Sequence, residues 1–195
     1  MMSSTVNTDI EIRETESGLN PTKFVLWLLI VASVMLFAAF TSAYIVRRGE
    51  GNWVIFDLPQ MFAFSTGIIA LSSFTMQFAY SSAKKDETGR MKMLLYVTLV
   101  LGILFAIFQI IGWSQLVSNN IHMVGNPSES FVYVLSGLHL FHMIAGIGFI
   151  IAMIIKSAQF KIRKNSLLYL NLCTTLWHFL GGMWIYLYFF LLLNR

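Results

Sequence analysis

Charge is scarce in this chain. Lys, Arg, Asp and Glu make up 11% of its 195 residues, against roughly 25% in a soluble domain. Apolar residues reach 57%, and mean hydropathy is +0.71. A soluble globular protein is therefore excluded. With it goes any reading of the net charge of +4 as a nucleic-acid signal. Cysteine is nearly absent too. A lone Cys173 allows no internal disulfide, no Cys-x-x-Cys pair and no zinc site built on thiolates. Alternating segments of ~10 residues, the mark of a membrane β-barrel, are missing. Internal repeats of the kind that build inverted-repeat transporters are missing as well. No polar stretch is long enough to form a soluble domain of its own.

Acidic groups are also missing from the places where they would conduct ions. All nine, Asp9, Glu11, Glu14, Glu16, Glu50, Asp57, Asp86, Glu87 and Glu129, fall outside the middles of the apolar runs. Proton and cation pathways across membranes use intramembrane carboxylates. The chain is thus not expected to act by itself as a pump or channel.

What is present is five long apolar runs, at about 24–46, 57–80, 93–117, 130–155 and 167–193. Each exceeds the ~20 residues that carry a helix across the hydrocarbon core. The expected fold is all-α, a polytopic bundle of five transmembrane helices over residues 24–195. Residues 1–23 form a polar tail without the basic start of a signal peptide, and the run that follows is longer than the ~7–15 residues of a signal core. The tail is expected to be retained and cytoplasmic. Lys and Arg are divided unevenly between the two sides. Arg13, Lys23, Lys84, Lys85, Arg90, Lys92, Lys156, Lys161, Arg163 and Lys164 fall on one side; Arg47, Arg48 and Arg195 fall on the other. Positive charge stays inside. This predicts a cytoplasmic N-terminus and an external C-terminus.

Three histidines lie within the runs. His139 and His142 are three residues apart, a spacing that stacks them on one helix face, with Gly146 a turn further on. His178 is on the fifth run. At 1.5 Å per residue, all three lie roughly 14–18 Å from a helix end. Gln109 on the third helix matches the depth of His139, and His142 matches His178. Imidazole ligates metals and haem, but residues at i and i+3 cannot clamp one haem from opposite faces. A pair formed with His178 leaves a free-standing b-type cytochrome open. The other reading is that neutral histidines tie helices together or face lipid. Helix four is then expected to turn its His139, His142 and Gly146 face into the bundle. Small pairs, Ala38 with Ser42 and Ala39 with Ala43, and the Gly181-Gly182 step would permit close helix approach. His122 lies in a polar loop and is expected to be solvated.

Several segments together resemble subunit III of the haem-copper oxidases, the cytochrome c oxidase group. Ser136-Gly137-Leu138-His139-Leu140-Phe141-His142-Met143 resembles the family's Thr-Gly-Phe-His-Gly-x-His-Val stretch. Trp177-His178-Phe179-Leu180-Gly181-Gly182-Met183-Trp184 resembles its Trp-His-Phe-Val-Asp-x-x-Trp stretch. Leu101-Gly102 followed by Phe105, Gln109 and Trp113 is similar to its Leu-Gly-x-x-Phe-x-x-x-Gln helix. Val34-Met35-Leu36-Phe37 with Ser42-Ala43-Tyr44, and Leu58-Pro59 with Ser65-Thr66 and Leu71-Ser72-Ser73, resemble two further helices. The five segments run in order, as in the five-helix bacterial form, and the resemblance implies a place in a bacterial cell (inner) membrane. Two family carboxylates are replaced, by Ser33 and by Gly181, which removes any role that rests on them.

The resemblance implies an accessory subunit with no catalytic, cofactor-binding or metal-binding residues of its own. Haem and copper would sit in partner subunits I and II. This chain would pack chiefly on subunit I, bind membrane lipids including a structural phospholipid, and sustain turnover and proton uptake in aerobic electron transport. Association into a respiratory supercomplex is compatible with it; binding of nucleic acid is not expected. Gln109, His139, His142, Gly146, Trp177, His178 and Trp184 are the candidates for lipid contact or helix packing. Subunit III of a quinol oxidase and the small accessory protein of nitric oxide reductases would share the fold.

Overall fold

A computed structural model describes residues 21–159 and 164–194. Five helices follow in order: α1 Pro21–Gly49, α2 Gln60–Lys84, α3 Thr88–Ser118, α4 Pro127–Gln159 and α5 Lys164–Asn194. All five are long and apolar enough to cross a membrane. The expected all-α bundle is the observed one. Residues 1–20 of the expected tail and residues 160–163 of the fourth loop lie outside the described residues.

The helix ends depart from the apolar runs for local reasons. Residues 57–59 are not helical, and α2 begins at Gln60. Pro59, with φ −55° and ψ 137°, stands just before the helix and biases Leu58 toward extended backbone. At the start of α4 the helix outruns the apolar stretch, and a polar residue caps it. Asn126 precedes α4, and its Oδ1 accepts from the Ser128 backbone N–H at 3.0 Å. Pro127 then fills the first helical position, where no N–H is needed. Glu129 sits in the first turn, where the helix dipole favours an anion.

Both sharp turns use an Asx residue in the left-handed region. Asp86 has φ 58° and Asn120 has φ 60°. After α2, the Glu87 N–H donates to Ser82 O at 3.1 Å and the Asp86 N–H to Ala83 O at 3.3 Å. After α3, the Ile121 N–H donates to Leu116 O and the Asn120 N–H to Val117 O, both at 3.0 Å. These crossed bonds satisfy carbonyls that a helix end would otherwise leave open.

The bundle is not a simple ring. α2 and α3 pack most closely, α3 also meets α4, and α5 touches α1, α2 and α4. Half of the most apolar window of α5 is buried, against 22% in α1. α5 is therefore the central helix, and α1 lies against α4 and α5 at the edge. The end of the bundle carrying Lys84, Lys85, Arg90 and Lys156 is called the basic end below. At the opposite end, Tyr44 of α1 contacts the rings of Trp53, Phe131 and Phe190 at 4.7, 5.6 and 5.2 Å. Its hydroxyl donates to Asn194 O at 3.1 Å.

Candidate functional site

Hydrocarbon offers no hydrogen bonds, so a polar group in a membrane helix must find its partner within the protein. Four interhelical bonds from indole and amide groups do this here. Trp177 Nε1 of α5 donates to Ser72 Oγ of α2 at 2.9 Å. Trp184 Nε1, also of α5, donates to Thr66 Oγ1 of α2 at 3.0 Å. Gln109 Nε2 of α3 donates to Ser65 Oγ of α2 at 2.9 Å. Trp113 Nε1 of α3 donates to Ser136 Oγ of α4 at 2.9 Å. The hydroxyls keep their own bonds to carbonyls three or four residues back: Ser65 and Thr66 to Phe62 O, Ser72 to Ile69 O, Ser136 to Val132 O. Each short side chain thus passes one helix's backbone polarity to its neighbour.

Glycines set the distance between the helices. A Cβ on Gly102 of α3 would stand 2.7 Å from Trp177 Cη2. On Gly146 of α4 it would stand 2.7 Å from Leu180 Cδ1 and 3.5 Å from Trp177 Cζ3. The Trp177 ring is therefore pinned between α3 and α4. Gly181 meets Ser73 Oγ of α2 in the same way at 3.0 Å. Gly182 opens to empty space. The small pairs of α1 are left uncovered: Ala38, Ala39, Ser42 and Ala43 are exposed. Ala39, Ser42 and Ala43 line an open groove toward α4, and Ala38 lines another toward α5.

The three span histidines take three different positions. His139 is fully buried, and neither ring nitrogen has a hydrogen-bond partner among the described residues. Its ring lies 6.1 Å from Phe37, 6.0 Å from Phe105 and 5.2 Å from Trp184. His142, half-buried, joins its Nδ1 to Leu138 O of its own helix at 2.8 Å. His178 Nε2 meets Gln77 Oε1 of α2 at 3.1 Å. The matched depths read from sequence did not produce pairs. Gln109 turns to α2, where Ser65 offers an oxygen, and His178 turns to Gln77. Sequence reasoning missed Ser65, Ser72 and Gln77 as partners, because depth along a helix says nothing about rotation around it.

These positions do not suit a haem. His139 is enclosed by the rings of Phe37, Phe105 and Trp184, and His178 bonds Gln77 of α2. Among the described residues, no three His, Cys, Asp or Glu side chains come together.

At the basic end, α1, α4 and α5 enclose a cleft of about 290 Å³. Its walls are carbon, from Val25, Leu29, Phe149 and Leu172 among others. At its mouth stand Thr22, Lys156 and Tyr169, with Lys156 Nζ 4.5 Å above the Tyr169 ring.

The sequence matches the family model described as Cytochrome c oxidase subunit III over residues 52–194. Proteins named "Probable quinol oxidase subunit 3" are similar along almost the whole chain. The one from Staphylococcus saprophyticus is 26% identical over 193 residues, covering 96% of this chain and 94% of the relative. That from Staphylococcus haemolyticus is 27% identical over 194 residues, with the same coverage. The match takes in α2 to α5, the helices tied by these indoles and hydroxyls, and the chain belongs to the cytochrome c oxidase subunit III family of the haem-copper oxidases.

Proposed function

We propose that this chain is the accessory subunit III of a quinol-oxidising haem-copper respiratory oxidase. The observation that carries the accessory role is how its polar groups are used. Most buried hydroxyls, the Trp113, Trp177 and Trp184 indoles and the Gln109 amide N–H are engaged in joining helices or in bonds to backbone carbonyls, so these groups serve the packing of the bundle. The preference for quinol over cytochrome c rests on the Staphylococcus relatives, whose names specify quinol and whose length the match spans almost completely. In this reading haem and copper belong to the large partner subunits, and this chain stabilises the one it packs on. The cleft at the basic end supports a structural phospholipid: carbon walls for an acyl chain, and the Lys156 ammonium for its phosphate.

Purification of the native complex through this chain tests the reading. It is expected to bring haem and copper in a larger subunit and to consume oxygen with a reduced quinol. Oxygen uptake driven only by cytochrome c would overturn the donor. Purification without any haem-bearing partner would overturn the accessory role. Lys156→Gln is expected to lower the anionic phospholipid retained by the purified complex.

A further inference from the structure

A second groove, of about 420 Å³, runs between α1 and α5. Val34 and Ala38 form one wall, and His178, Gly182, Met183 and Tyr186 form the other. Beside it Gln77 of α2 is exposed and bonded to His178. That bond uses one imidazole nitrogen and the carbonyl oxygen of the amide. The Gln77 amide N–H groups and His178 Nδ1 have no hydrogen-bond partner among the described residues. Both side chains lie within the spans, His178 fourteen residues from the start of α5, or about 21 Å, and Gln77 seven residues from the end of α2, or about 10 Å. An amide facing hydrocarbon is costly, and an acyl chain in the groove would satisfy none of these groups. A protein helix can serve the amide, because its backbone carbonyls become reachable acceptors where small residues let helices approach closely, and a hydroxyl on it can donate to His178 Nδ1. Gly182, with open space above it, provides such a point on this side.

We infer that the α1–α5 groove, with the Gln77–His178 pair on its border, is the docking surface for a transmembrane helix of the oxidase's large, haem-bearing subunit. The inference rests on the accessory role proposed above and assigns it a face. The docking helix should present carbonyl or hydroxyl oxygens to the Gln77 amide and a small residue to Gly182.

Two variants and one crosslinking pair test this in the assembled complex. Gly182→Leu adds bulk only to open space, so the separated chain should keep its unfolding midpoint while the complex loses the chain on purification. Gln77→Leu should lower the share of complex retaining it about threefold, in line with the modest strength of hydrogen bonds between membrane helices. A photocrosslinker at Val34, exposed on the groove wall, should attach to the large subunit. The same crosslinker at Ile103, exposed at matching depth on α3, should not. Normal assembly of Gly182→Leu overturns the inference, as do adducts at 34 with lipid or with a second copy of this chain. Large-subunit adducts at 103 but not at 34 overturn the assigned face and leave the accessory role standing. A chain that purifies without haem overturns both.

Discussion

Trp177 shows how one side chain fixes three helices. It rises from α5, bonds Ser72 on α2, and fills the space left by Gly102 on α3 and Gly146 on α4. It is 1% exposed, so it has nowhere to move. Gly102→Ala is expected to destabilise the chain in detergent by about 1–3 kcal/mol, the usual cost of overpacking. Gly148→Ala on α4, with nothing within 4 Å, should gain up to about 1 kcal/mol from helix propensity. Denaturant unfolding of the two variants in mixed micelles checks the contrast; equal effects would refute it. His139 leads to a different expectation. A buried polar group without a partner costs about 1–3 kcal/mol. His139→Leu removes two such atoms from a pocket of aromatic rings, so it should stabilise the isolated chain. A lower unfolding midpoint would show that the imidazole has a partner essential to the fold. The sequence marked Trp177, Gly146 and His139 as residues to watch, through motif and depth. It could not assign their partners, because those lie on helices distant in the chain.

At the scale of elements, the number, order and approximate ends of the helices were legible, since a bilayer sets a minimum length for an apolar helix. Their pairing was not. In a soluble bundle an amphipathic stripe points to the core. These helices are apolar nearly all round, so the stripe that would reveal rotation is missing. The central place of α5 depends instead on bonds such as Trp184 to Thr66, which join residues more than a hundred positions apart. The turns carry clearer local signals. Asp86 holds φ 58° between α2 and α3, where a branched side chain is strained and glycine is not. Asp86→Val should cost about 1–2 kcal/mol, while Asp86→Gly should stay near the parent. The unfolding midpoint of each variant measures this. An unchanged Asp86→Val would mean the crossed bonds after α2 contribute little to the α2–α3 hairpin.

For the whole molecule, the outstanding question is which way it sits in the membrane. Among the described residues, Lys84, Lys85, Arg90, Lys92 and Lys156 share one end of the bundle, and Arg47 and Arg48 the other. Over the full sequence, ten of its thirteen Lys and Arg are expected on that same side. Basic loops resist translocation and remain in the cytoplasm, so the basic end should face inward. The chain is well suited to a direct test, because its single cysteine, Cys173, is buried and gives little background labelling. Lys85 and His122 are both exposed and stand at opposite ends. A cysteine at 122 should react with a membrane-impermeant maleimide added to intact cells. A cysteine at 85 should react only after the membrane is opened. The reverse pattern would invert the molecule and move the Lys156 cleft to the outer leaflet. The groove between α1 and α5 is affected far less, because Gln77 and His178 lie within the spans and remain in hydrocarbon in either orientation. Orientation and partner face are therefore separate questions, and each can fail without the other.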